Sequence, residues 1–305
     1  MQPLRLRSAP AARALSKLDV LAVVGTLLIL GTIFVVMLPH MQASYRYGLS
    51  PRSICQSNLK GMGTAFYTYG NENNEMWPVC APIKDIDEGK LRVTYAPNLI
   101  GKNRDISDET LIARATGGEL KTSVTRDLWI LVRLQIAAPK SFICPASNDT
   151  ANGDNNPLQY WDFRTWSEVS YGYQVPFGKL GRPSSDRDQR MVMAADKGPF
   201  GAALEAGKPN PGLPTAAMND AYKKWSPWNS HNHGGEGQNV LYAGGSADWQ
   251  SKPVCGLGYD NIYTRWSDAT GGATTAGDNP PIRVHGTPPT GTETPMSDTD
   301  TLIYP

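Results

Sequence analysis

The sequence predicts an α+β protein: an N-terminal apolar helix able to cross a membrane, and a helix packed on an antiparallel β-sheet head domain. Three observations predict it. Val20 to Leu38 is a run of 19 residues without a charge, and its only polar side chains are Thr26 and Thr32. Ile54, Cys55, Leu59, Met62, Phe66 and Tyr69 recur at spacings of three and four, as an amphipathic helix requires. Val240-Leu241-Tyr242-Ala243 and Ser246-Ala247-Asp248-Trp249 flank Gly244-Gly245. That is a β-hairpin signal, because glycine supplies positive φ without strain.

The apolar run comes first in the chain. At about 1.5 Å per residue it reaches roughly 28 Å, close to the hydrocarbon thickness of a bilayer. Signal-peptide apolar regions are usually about 7–15 residues, and core helices rarely lack charge for so long. The run therefore reads as a retained anchor. Arg5, Arg7, Arg13 and Lys17 precede it, with no acid before Asp19. An excess of basic residues on the short flank predicts an N-terminus in the cytoplasm and an exported C-terminal bulk. The expected location is the inner membrane, single-pass, with the lipid bilayer as first partner.

Pro39 ends or kinks that helix. A second helix is predicted from about Arg52 to Asn71, weakened by Gly61 and Gly63. Leu91–Tyr95, Val169–Val175 and Met191–Ala195 read as further strands, and Thr125 to Ala137 as a short helix stopped before Pro139. The hairpin is expected near the centre of the sheet. From Ser267 to Pro305 only Ile282, Val284, Leu302 and Ile303 belong to Leu, Ile, Val or Phe. Such a segment buries too little apolar surface to offset its ordering entropy. The predicted organisation is a basic cytoplasmic segment (1–19), a transmembrane helix (20–38), an exported α+β domain (39–266) and a disordered Thr/Gly/Pro-rich tail (267–305). A formal net charge of +1 gives no case for a nucleic-acid partner.

Several segments resemble one family. Ala14-Leu15-Ser16-Lys17-Leu18-Asp19 resembles the N-terminus of type IV pilin-like proteins. In these a small residue precedes the cleavage site, and an acid sits five residues into the mature chain. Ala14 stands where the family usually has Gly, Lys17 where it has an apolar residue, and Asp19 where it has Glu. Cys55-Gln56-Ser57-Asn58-Leu59-Lys60-Gly61-Met62-Gly63, then Phe66-Tyr67-Thr68-Tyr69 and Asn73-Asn74-Glu75-Met76-Trp77-Pro78, resemble the region after the anchor in the large planctomycete-type family of pilin-like and pseudopilin-like proteins. Phe142-Ile143-Cys144-Pro145-Ala146-Ser147 and Ser170-Tyr171-Gly172-Tyr173 resemble two further family elements. Asn232-His233-Gly234-Gly235 with Asn239-Val240-Leu241-Tyr242-Ala243 resembles its C-terminal His-Gly-Gly … Asn-Val-Leu-Phe-Ala-Asp-Gly motif, with Gly244 in place of the Asp. The resemblance implies a pilin-like head fold and processing between Ala14 and Leu15, with Asp19 serving assembly. It also implies like subunits or type II secretion proteins as partners.

The even set Cys55, Cys80, Cys144 and Cys255 allows two disulfides in three connectivities, or free thiols. Cys80 and Cys255 share a Pro-Val-Cys context; Cys55 and Cys144 lie in family-like segments. His231 and His233 are spaced as i and i+2, and on a strand both imidazoles reach one ion. Glu236, Asp248 or Asp196 would complete that shell. A glycine-rich loop is the competing reading, with His233 bonding backbone. Asp196-Lys197 reads as a surface pair, with a buried ion pair as the alternative. No nucleophile elbow, phosphate loop or His-Glu-x-x-His occurs. The expected function is therefore non-enzymatic, with no cofactor: a membrane-anchored pilin-like protein of a secretion or pilus-like assembly. The alternatives are an extracytoplasmic metal-dependent hydrolase, or a glycan-binding module using Trp161, Trp166, Trp225, Trp228, Trp249 and Trp266.

Overall fold

A computed structural model describes residues 17–46, 50–154, 156–201, 210–266 and 281–305. The chain divides into two compact units, Met1–Ser50 and Pro51–Pro305.

The first unit holds one helix, α1 (Lys17–Arg46). Among the described residues no helix is long and apolar enough to cross a membrane. The predicted span over 20–38 and the single-pass inner-membrane location are corrected accordingly. Ala14, Leu15 and the side chain of Asp19 lie outside the described residues.

The second unit is built on a five-stranded sheet. Its strands are β3 (Tyr171–Gln174), β4 (Val192–Asp196), β5 (Gln238–Tyr242), β6 (Ala247–Gln250) and β7 (Ile303–Tyr304), in the order β6-β5-β4-β3-β7 with every pair antiparallel. A smaller parallel sheet pairs β1 (Arg92–Thr94) with β2 (Glu119–Lys121). This architecture corrects the expected pilin-like arrangement of an N-terminal anchor helix on a sheet. The helix on the sheet is instead α2 (Pro51–Glu72), wholly within the second unit. The predicted hairpin is β5–β6, and it forms one edge of the sheet rather than its centre. Only Gly245 of the glycine pair takes positive φ (82°), in a turn where its N–H bonds the Tyr242 carbonyl.

Both faces of the sheet are covered. Leu59, Met62 and Phe66 of α2 pack with Tyr171, Tyr173, Met193 and Leu241 on one face. Val192, Ala195, Val240 and Ile303 meet Phe200, Trp225, Trp228 and Tyr263 on the other. Gly63 is needed for the first contact: a Cβ there would stand 2.9 Å from Cδ1 of Leu241. Phe66 stacks on Trp77, with ring centroids 4.8 Å apart. Burial of Trp166, Trp225 and Trp228 in these cores removes them from the suggested sugar-stacking face.

The end of the chain corrects a second expectation. Residues 267–280 lie outside the described set, but 281–305 are folded, and Leu302, Ile303 and Tyr304 are buried. Polar side chains supply the order that the sparse apolar content cannot. Asp260 accepts from the Thr301 N–H (2.6 Å), and Asp300 from the Met296 N–H (2.6 Å).

Candidate functional site: a buried cluster of cysteine, histidine and aspartate

The polar groups that α2, the sheet and two loops bring together meet at one buried point. Cys55 is the fifth residue of α2 and is fully buried. Cys144 follows the 3-10 turn Pro139–Phe142 and is fully buried too. The two are disulfide-bonded, with Cα atoms 5.3 Å apart, inside the range such a bridge requires. The bridge ties the start of α2 to the loop ahead of β3. Asn58, one turn later, extends the tie by donating to the Ile143 carbonyl (2.9 Å) and to the Tyr171 hydroxyl (3.2 Å).

His233 approaches from the opposite side. It closes the 3-10 turn His231–His233, which Ser230 caps by accepting from the Asn232 N–H (3.2 Å). Gly234 and Gly235 follow with φ of 67° and 77°. Nε2 of His233 stands 3.5 Å from Sγ of Cys144 and 3.4 Å from Oδ2 of Asp196. Asp196 ends β4 and is fully buried. Its Oδ1 accepts from the Asn232 amide (3.2 Å), and its Oδ2 from the N–H (2.6 Å) and side-chain amide (3.2 Å) of Asn239. The register explains this, since Ala195 pairs with Val240 and so brings Asn239 beside Asp196. Burial pushes the Tyr171 hydroxyl up, and the charge of Asp196 pushes it further.

The cluster has a thin outer cover. Trp249 meets the His233 ring edge-on, with centroids 5.1 Å apart, and the Arg52 guanidinium lies 4.0 Å above Trp249. Arg52 in turn pairs with Glu236 at the surface.

The sequence-predicted residues divide as follows. His233 and Asp196 come together; His231 does not join them. A 3-10 turn, unlike a strand, sets residues two apart on directions about 120° from each other. Glu236 is taken up by Arg52, and Asp248 lines an open cleft of about 570 Å³ with Tyr242, Gln250 and Cys255. Cys80 and Cys255 are not bridged to each other. Cys80 is buried beside Thr122 (Sγ to Oγ1, 3.6 Å), with its thiol pushed well up by burial and then by Asp127. Asp196-Lys197 is not a surface pair. Both residues are buried, and the Lys197 ammonium bonds Asp149 (3.1 and 3.2 Å) and the carbonyls of Trp166 and Val169.

Among the described residues, Cys55, Cys144, Asp196 and His233 form a group whose ligand atoms all lie within 4.8 Å of one another. No local spacing announces it, since its members come from four distant segments. Comparison with known proteins finds no matching family model, no matching curated protein and no matching solved structure.

Proposed function

We propose that the chain is a non-enzymatic pilin-like or pseudopilin-like subunit that works by assembly and display. The observation that supports this reading is how the family-like segments spend their chemistry. Cys55 bridges Cys144, and Asn58 holds the Ile143 carbonyl. Asn232 donates to the Ser170 carbonyl (2.7 Å), while Asn239 and Asn232 together satisfy Asp196. Four separated motifs thus bond to one another or to a shared buried carboxylate, and hydrogen bonding of this kind is what buried polar groups require in a stable fold. Residues recruited in this way pin a scaffold, and the surface loops are left to meet partners.

A photo-crosslinking amino acid placed at the exposed Leu213 or Tyr259 of the full-length protein in its native cells tests the reading. A ladder of self-adducts, or adducts with secretion-machinery proteins, is expected. A purely monomeric product, together with a substrate turnover that His233→Ala abolishes, would overturn it.

A further inference from the structure

We propose that the Cys55–Cys144 disulfide is the oxidised form of a redox-gated metal site. In the reduced form, both cysteine sulfurs, Nε2 of His233 and Oδ2 of Asp196 would hold one tetrahedral divalent cation of the zinc type.

Geometry carries the proposal. With metal–sulfur, metal–nitrogen and metal–oxygen bonds of about 2.3, 2.0 and 2.1 Å, tetrahedral angles place sulfur about 3.5 Å from nitrogen and nitrogen about 3.4 Å from oxygen. The distances present are 3.5 Å for Cys144 to His233 and 3.4 Å for His233 to Asp196. Two of the six edges of the tetrahedron therefore exist already. The sulfurs would have to separate to about 3.8 Å on the same bond lengths. All four ligand atoms are already within 4.8 Å of one another.

The surroundings suit a cation. Asp196 is a fully buried carboxylate, costly unless paired or bound to metal. Amide donors from Asn232 and Asn239 orient it, as outer partners orient metal-bound carboxylates. The Asn239 amide nitrogen also lies 3.3 Å from Nε2 of His233, and its Oδ1 is buried with no hydrogen-bond partner.

The chemistry balances with a dithiol as reductant. The dithiol gives two electrons and two protons to the disulfide, which becomes two thiols, while the reductant becomes its own cyclic disulfide. The cation then displaces both thiol protons to solvent. A sulfur–metal–sulfur bridge still ties α2 to the Cys144 loop, so the fold keeps its pin in both states. The Arg52–Trp249–Glu236 cover is where a reductant would enter.

The test uses the full-length protein and cobalt(II) alone as probe. Protein is compared as isolated and after anaerobic dithiothreitol treatment followed by removal of the reductant. Alkylation and mass spectrometry count the thiols of each form. The reduced form is expected to bind one cobalt per chain, with the strong visible absorption of a tetrahedral site and a thiolate-to-cobalt charge-transfer band. The oxidised form should bind none. His233→Gln and Asp196→Asn should each weaken binding at least tenfold. Their intact Cys55–Cys144 bridge in the oxidised state would report correct folding. Cys80→Ser/Cys255→Ser should leave binding unchanged. The proposal is overturned if the reduced protein takes up no cobalt or lacks the thiolate band. It also fails if both forms bind cobalt equally, or if the bridge resists reduction in the folded chain.

Discussion

Nε2 of His233 and Oδ2 of Asp196 stand 3.4 Å apart, both side chains almost wholly shielded from solvent. One comes from a glycine-rich loop, the other from the last residue of β4. Their meeting point lies against the Cys55–Cys144 bridge, which closes the same site from the α2 side. Helix, sheet and loop are therefore joined through a single polar knot.

Opening that bridge should cost stability. It closes a sequence separation of 89 residues, and removing a native disulfide typically costs about 2–5 kcal/mol. Cys55→Ala/Cys144→Ala is expected to lower the urea midpoint of metal-free protein by a corresponding amount. Cys80→Ala/Cys255→Ala is expected to produce no comparable loss of a bridge, since neither residue is bonded.

The two helix glycines should respond oppositely. A Cβ at Gly61 meets nothing within 4 Å. Gly61→Ala should then gain about 0.5–1 kcal/mol from helix propensity. At Gly63 the side chain of Leu241 stands in the way. Gly63→Leu should lose about 1–3 kcal/mol by overpacking. Denaturant titration of both variants measures the contrast.

The buried Lys197 ammonium and the Asp149 carboxylate form a pair that neither partner can leave cheaply. Lys197→Ala should destabilise by about 3–5 kcal/mol, because Asp149 is left charged and buried. Lys197→Met/Asp149→Leu should cost less than the sum of the single changes. A double-mutant cycle measures the difference.

The C-terminal segment should loosen with rising pH. Burial pushes the Asp260 and Asp300 carboxyls up, Asp300 to about 7, and repulsion between the two raises Asp260 further. The folded chain keeps protons that the unfolded chain releases near 3.8. The Asp300 share of this stability is therefore full at low pH and is lost as pH climbs from about 4 through about 7, and the Asp260 share is lost in the same direction. The drop in urea midpoint between about pH 5 and about pH 8 should be smaller in Asp300→Asn than in the parent. An equal or larger drop contradicts the assignment.

The parts of this fold that are legible in the sequence are those with strong local signals. Cys55, Leu59, Met62 and Phe66 announce α2 by spacing, and the predicted limits of 52–71 fall within one residue of Pro51–Glu72. β3, β4, β5 and β6 lie in stretches rich in aromatic and aliphatic side chains. β7 was hidden because it is two residues long and is ordered by carboxylates bonding backbone N–H groups. Counting apolar residues misses that. The apolar run in the first unit misled in the opposite way, since length and composition alone suggested a span. The site was half legible. Cys55 was set beside Cys144 and Asp196 beside His233, but only the pairing of β4 with β5 and the docking of α2 bring the two pairs together.

The most direct test of the polar knot is peptide mapping of the intact, non-reduced protein by mass spectrometry after alkylation of free thiols. The expected result is a Cys55–Cys144 linked peptide, with Cys80 and Cys255 both alkylated. A Cys80–Cys255 link, or Cys55 joined to either of those residues, would contradict it.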